Sequence, residues 1–370
     1  MIIGIPKEVK DHEYRVGATP TTVAVLVHAG HHVLVETNAG LKIGFTNELY
    51  QKAGAKIVLS NKEVYEAQMI IKVKEPQPSE YDLLKKEQIL FCYLHLAPDK
   101  QQADALLKQK VVAIAYETVV DHRGGLPLLI PMSEIAGRIS IQVGATALQL
   151  ANGGKGVLLG GIPGVKPGNV VVLGGGVVGT EALKIALGLH AKVTVIDINL
   201  YRLRQLEELF GPGLTTLYSS PITIMNALME ADLVVGAVLI PGKKAPKLVT
   251  REMVRKMSPG SVIVDVAIDQ GGCIETSRPT THSHPTYIEE GVVHYCVTNM
   301  PGACARTGSE GLNNATLPYA LKLANLGYKR ALMEDKNFLP GLNTCLGHVT
   351  NLDVAEDLGF EFVSPETLLA

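Results

Sequence analysis

The chain has 370 residues, 46% of them hydrophobic and 19% charged, with 34 basic and 36 acidic side chains and a formal net charge of −2. That length suits two domains with sizeable cores, and the near-neutral balance gives no electrostatic footprint for a nucleic acid or an anionic membrane surface. Tryptophan is absent and aromatic residues make up 5%, which excludes a stacking platform for single strands.

Short β-branched runs alternate with helical patterns along almost the whole chain. In the first third the expected strands are 2–5, 32–36, 56–59, 69–74, 88–95 and 111–117, with helices at 20–29, 47–53 and 99–109 between them. Continuous apolar strands alternating with helices point to a parallel sheet covered on both faces. Met132-Ser133-Glu134 reads as the start of a long helix to about Ala151, with Ser133 as its cap. A glycine-rich stretch at 153–168 reads as a linker or packed loop. A second alternation begins at Asn169, with strands at 170–173, 192–197, 233–237, 262–267 and 292–296, and the tail from about Gly311 reads as helical. The expected fold is α/β: two doubly wound parallel-sheet domains with the active site in the cleft between them. Residues 1–130 with 308–370 form the first domain, and the inserted 131–307 forms the second. The five cysteines include no CxxC pair, and no apolar run reaches a signal core or a membrane span. A cytoplasmic protein with reduced thiols is expected.

Val170-Val-Val-Leu-Gly174-Gly-Gly176-Val-Val178-Gly179 is a strand running into a GxGxxG turn, and a helical stretch follows at once. Gly174 permits the tight turn, Gly176 a close approach of backbone to pyrophosphate, and Gly179 close packing of helix on strand. The helix N-terminus presents free N–H groups to phosphate. Asp197 ends the next strand, where a carboxylate accepts hydrogen bonds from both ribose hydroxyls and repels a 2′-phosphate. NAD is therefore the expected cofactor, although Arg202 and Arg204 leave room for NADP.

Several strands end in reactive side chains. Lys72 and Lys74 alternate onto one face of their strand, Tyr93 and His95 share a face of the next, and Asp269 ends the run from Val262. Arg15 follows the first strand. Each has an ordinary explanation alone: a solvated lysine, a satisfied histidine, a turn-capping aspartate. Together they supply a cation pair, an acid/base and a carboxylate beyond the carboxyl ends of parallel strands, where ligands of open α/β sheets bind. That set suits a small 2-amino or 2-oxo acid. His282-Ser-His284 and the scattered cysteines have no grouped zinc spacing, so no metal is expected. No GxSxG elbow supports hydrolase chemistry.

With these residues in place, the chain resembles the alanine dehydrogenase and transhydrogenase α-subunit family along nearly its whole length. The matching stretches are GIPKE…EYRVGATP, IKVKEP, YLHLAPDK, AYETV, PMSEIAGR, GGGVVG, GAVLIPGKKAPKLVTREMV, VIVDVAIDQGGCIETSRPTTHSHPT and VHYCVTNMPGA. The resemblance implies reversible NAD-dependent oxidative deamination of L-alanine to pyruvate and ammonium by a homohexamer. It implies that His95 and Asp269 are catalytic and that Arg15, Lys74, Tyr93, Met132 and Asn299 bind substrate. The cofactor contacts it implies are Ser133, Gly174, Gly176, Val178, Gly179, Asp197, Arg202, Ser219, Val238, Leu239, Ala267, Ile268, Arg278, Val297 and Met300.

The chain departs from the family at 307–316, where Thr307-Gly-Ser-Glu310-Gly-Leu-Asn-Asn-Ala-Thr316 replaces small polar and apolar residues in what is expected to be a loop, and at 41–45. No histidine stands near Leu326, where some relatives place a proposed metal ligand, although Glu117 is present. A transhydrogenase cofactor domain would lack the histidine of the HLA segment. A non-catalytic NAD-binding protein would not need Arg15, Lys74, His95 and Asp269.

Overall fold

The computed structural model describes residues 1–238 and 245–370. Among them run β1 (Ile2–Ile5), β2 (His32–Glu36), β3 (Lys56–Val58), β4 (Met69–Ile71), β5 (Ile89–Cys92), β6 (Val112–Ala115), β7 (Asn169–Leu173), β8 (Lys192–Asp197), β9 (Leu214–Tyr218), β10 (Leu233–Gly236), β11 (Val262–Asp265), β12 (Thr286–Glu289), β13 (Val292–Tyr295), β14 (Leu342–Cys345) and β15 (His348–Val349). The chain divides into two compact units, Met1–Met132 with Cys304–Ala370, and Ser133–Ala303. The helix Ile130–Ala147 carries the chain from one to the other.

The first unit is built on a sheet of order β15-β14-β6-β5-β4-β1-β2-β3. Its six parallel strands run β3-β2-β1-β4-β5-β6, the doubly wound order in which the winding reverses between β1 and β4. Strands β4, β5 and β6 (MII, ILFC and VAIA) are buried at every position, because helices cover both faces and an alternating pattern would bury polar groups. The helices Pro20–His28 and Lys100–Gln109 begin where Thr19 and Asp99 accept the N–H of Thr22 and Gln102.

The second unit repeats the design. Its sheet runs β12-β13-β11-β10-β7-β8-β9, so the parallel part is again wound in opposite senses about a point between its first and fourth strands, here β7 and β10. Its core on one face is an aliphatic cluster that includes Val171, Leu173, Val234, Ile263 and Leu228.

Several sequence expectations change. The strands at 69–74 and 88–95 stop at Ile71 and Cys92, because the N–H groups of Val73 and Leu94 turn to carboxylates rather than to a neighbouring strand. Strand β11 ends at Asp265, and Asp269 sits in the 3₁₀ turn Val266–Gln270. Ser133 is not a cap: the helix already starts at Ile130, with Pro131 in the first turn where its missing N–H costs nothing. The run 307–316 is not a loop but lies within the helix Ala305–Met333, which breaks at Gly327 (φ 72°, ψ 160°). The tail also carries the antiparallel strands β14 and β15, and β9 and the antiparallel β12 join the second sheet. These four strands are short and partly polar, so they lack the apolar run that marks the others.

Candidate active site

In the first unit, the residues singled out by the sequence gather at the carboxyl ends of β1, β4 and β5, three adjacent strands astride the reversal point. Arg15 lies in the segment after β1 and is 1% exposed. Its Nε donates to Glu13 Oε1 at 2.7 Å, its Nη2 to Glu13 Oε2 at 2.5 Å, and its Nη1 approaches Met132 Sδ at 2.9 Å. Burial alone would lower the guanidinium pKa, but the Glu13 carboxylate outweighs it and holds Arg15 charged. Burial would likewise raise Glu13, but its hydrogen bonds from Arg15 win and its pKa falls.

Lys74 and Lys72 leave β4 in different environments. Lys72 is not a solvated strand-end lysine: it is fully buried, with Nζ 2.6 Å from Glu80 Oε1 and 3.4 Å from Glu8 Oε2. Those two carboxylates overcome its burial and raise its pKa. Burial in turn raises Glu8 against the pull of Lys72. Lys74 is half-buried, and burial followed by the Arg15 charge lowers its ammonium below the ordinary range. That pair of effects is what eases a lysine toward its neutral, proton-accepting form.

Tyr93 and His95 follow β5. The Tyr93 ring is buried, and its hydroxyl donates to Leu128 O at 2.6 Å. The imidazole of His95 is half exposed and lies parallel to that ring, with centroids 5.9 Å apart and planes at 9°. His95 takes a left-handed backbone conformation (φ 48°), and its N–H donates to Glu117 Oε1 at 2.6 Å. An exposed imidazole with a fixed plane is suited to moving protons.

In the second unit, β7 runs into the glycine turn at the corresponding reversal point. Gly174 has φ +98°, and a Cβ there would lie 2.7 Å from Ala237 O and 3.1 Å from Val238. A Cβ on Gly179 would lie 1.9 Å from Gly174 O, whereas one on Gly176 would meet nothing within 4 Å. Gly176 is also the cap of the helix Val177–Gly188 and, being glycine, offers no side-chain acceptor to that end. Open space over a helix N-terminus is the shape that a pyrophosphate fills. Asp197 Oδ2 accepts the Gly175 N–H at 2.6 Å and its Oδ1 that of Asn199 at 2.8 Å. Arg202 ties the turn down from the same side, donating from Nε to Gly175 O at 2.7 Å and from Nη2 to Thr180 Oγ1 at 2.6 Å. The partly buried Ser219 follows β9, its N–H on Asp197 O at 3.0 Å.

Of the remaining candidates, Ala267 and Ile268 are buried in the turn after β11, and Asp269 is exposed on it. Asp265 Oδ2 fixes that turn by accepting the Cys273 N–H at 3.0 Å. Arg278 stacks over the Tyr287 ring at 4.0 Å, Val297 and Met300 are buried, and Asn299 is left-handed (φ 60°) with its carbonyl 3.2 Å from His282 Nε2. Val178 is buried, Ser133 is half-buried in the second unit, and Leu239 lies outside the described residues. Among the described residues no group of three or more His, Cys, Asp or Glu side chains could hold a metal ion. The carboxylates of Glu8 and Glu13 are supporting residues that sequence reasoning passed over, and Glu117 was noted there only beside the relatives' metal site. Only Glu13, two positions before Arg15, left a local trace.

Two doubly wound units, one with an open glycine turn and one with cations and an imidazole at its strand ends, define an α/β protein of the Rossmann-like class. Family models match both parts of the chain: "Alanine dehydrogenase/PNT, N-terminal domain" at residues 4–136 and "Alanine dehydrogenase/PNT, C-terminal domain" at 140–352. The chain belongs to this alanine dehydrogenase/PNT family. It is 56% identical over 370 residues to an alanine dehydrogenase of Bacillus subtilis, covering 100% of this chain and 98% of that protein. It is 57% identical to one of Staphylococcus epidermidis, with 100% of both covered. A solved structure of an L-alanine dehydrogenase superimposes with a TM-score of 0.95 at 53% identity, covering 97% of this chain and 99% of that one.

Proposed function

We propose that this protein is an L-alanine dehydrogenase that interconverts L-alanine, NAD and water with pyruvate, NADH, ammonium and a proton. The observation that carries the reading is the placement of Arg15, Lys74 and His95 after three adjacent parallel strands at the reversal point of the first unit. Full-length identity to alanine dehydrogenases supports it.

In this reading the residues of the turn after β7 hold the dinucleotide. The helix N-terminus at Gly176 takes the pyrophosphate and Asp197 the adenosine ribose, which favours NAD over NADP. Bound NAD supplies the hydride acceptor. Arg15, its guanidinium oriented by Glu13, binds the substrate carboxylate. Loss of the C2 hydrogen as hydride leaves an imine, to which water adds before ammonia departs. His95 takes and returns the protons of those steps, Lys74 polarises the C2 oxygen, and Asp269 orients the water or offsets the imine's positive charge. Tyr93, Met132 and Asn299 shape the substrate pocket, with Ser133, Ser219, Val238, Leu239, Ala267, Ile268, Arg278, Val297 and Met300 contacting the cofactor. A cytoplasmic homohexamer without a resident metal completes the reading. The cysteines are free thiols, and among the described residues no helix is long and apolar enough to cross a membrane.

The test is absorbance of NADH with L-alanine and NAD in one direction, and with pyruvate, ammonium and NADH in the other. Turnover both ways, lost in His95→Ala with NADH binding intact, is the expected result. No turnover despite NADH binding would overturn the reading in favour of a non-catalytic NAD-binding protein.

A further inference from the structure

We propose that Glu117 is a positioning residue for His95, acting through the main chain rather than through the imidazole; this rests on the reading of His95 as the acid/base. The ladder between β4 and β5 continues one step past the strands, with Tyr93 N–H on Val73 O at 3.1 Å. The next two N–H groups of that segment turn away to a carboxylate. Leu94 N lies 3.1 and 3.2 Å from the two oxygens of Glu117, and His95 N lies 2.6 Å from Oε1.

Glu117 is delivered by the neighbouring strand. The β5–β6 register pairs Cys92 with Ala115, which brings the residue two beyond β6 level with the residue two beyond β5. The Glu117 side chain is 14% exposed and that of His95 49%, so the carboxylate sits inside the turn and the imidazole outside it. Glu117 Oε1 is 4.0 Å from His95 Nδ1, beyond hydrogen-bond reach, while the backbone bond is short. A left-handed backbone is disfavoured for an L-residue, so an unheld segment relaxes and swings the ring away. Tyr93, anchored through its hydroxyl, fixes the plane of the imidazole, and Glu117 fixes the backbone that carries it.

The same construction appears one strand over. Glu8 Oε1 accepts the N–H groups of Val73 at 2.7 Å and Lys74 at 3.4 Å, again the second and third residues past a strand end and again ending on a residue assigned to the chemistry. Its recurrence at two neighbouring strands marks it as a way of aiming side chains from this sheet.

The experiment compares Glu117→Ala, Glu117→Gln and His95→Ala in the full-length protein, reading hydrogen exchange of a peptide spanning 93–96, NADH binding, and kcat and KM in both directions. Glu117→Ala is expected to expose the amides of Leu94 and His95 and to lower kcat about 100-fold, the scale of a small misplacement of a reacting group, with NADH affinity kept. Glu117→Gln retains an oxygen for both N–H groups and is expected to keep their protection and most of kcat. Unchanged exchange in Glu117→Ala would overturn the proposal. So would wild-type kcat in that variant while His95→Ala is inactive, or a Glu117→Gln enzyme that keeps its protection yet is as slow as Glu117→Ala. A fully active His95→Ala would overturn the functional reading itself, whatever Glu117 does.

Discussion

Arg15 and Glu13 meet in a two-pronged ion pair from which water is shut out: the side chains are 1% and 0% exposed, with contacts of 2.7 and 2.5 Å. The pair costs desolvation of both charges, and it returns a guanidinium fixed in direction.

Removing one half of such a pair strands the other. Arg15→Met is expected to lower stability by about 3–5 kcal/mol, whereas Arg15→Met with Glu13→Leu recovers most of that loss. Urea unfolding of the two variants checks it. Arg15→Lys keeps a positive charge but not the planar fork, so KM for pyruvate is expected to rise while NADH affinity stays as it was.

Acid sensitivity follows from the same carboxylate. The Glu13 pKa is lowered from its ordinary value of 4.5 because the hydrogen bonds and charge of Arg15 outweigh burial. Its contribution to stability is therefore complete above that value and is lost as pH falls through the lower folded value. Glu181, held by Arg138 and Lys184, behaves the same way. Unfolding midpoints measured from neutral pH downward are expected to fall along this limb, and less steeply in Glu13→Gln; an equal slope would exclude Glu13 as a contributor.

The two glycines of the turn after β7 serve different ends and separate under mutation. A Cβ at Gly179 would collide with Gly174 O, so Gly179→Ala is expected to cost about 1–3 kcal/mol or more of stability. A Cβ at Gly176 projects into open space. Gly176→Ala is expected to melt like the wild type and yet bind NADH weakly, because the methyl occupies room needed by phosphate. Thermal melts alongside NADH fluorescence titrations distinguish the two effects.

At Asp197 the expected change is one of preference. Asp197→Ser leaves a smaller neutral side chain beside Arg202, whose guanidinium already lies over the turn. NADH binding is expected to weaken by about 1–3 kcal/mol through loss of a charged acceptor, with NADPH binding gained. Paired titrations with the two nucleotides decide it, and unaltered discrimination would remove Asp197 from the ribose site.

The glycine turn and Asp197 were legible in the sequence because their signal is local: strand, turn, helix and strand follow one another within about thirty residues. Arg15, Lys74 and His95 became legible in combination, and the family resemblance gave them roles. The carboxylates that hold them were not. Glu8 reaches Val73 across 65 positions and Glu117 reaches His95 across 22, and neither distance leaves a periodic trace. Lys72 misled for a related reason, since nothing near it in the chain announces that Glu80 and Glu8 will close over it. The alternation rule also carried the strands at 69–74 and 88–95 past their true ends, because it does not register N–H groups claimed by side chains.

Strand β14, one in from the edge strand β15, pairs antiparallel with β6, although the whole second unit is encoded between them. A ribosome therefore releases every residue of the second unit before it supplies the strand that closes the first. Until then β6 presents an open row of backbone groups, the kind of edge that recruits foreign strands. The nascent chain matures out of sequence: the inner unit is fully supplied while the outer one waits for its last 67 residues, Cys304–Ala370. Truncation near the carboxyl terminus thus damages the half of the protein that was made first.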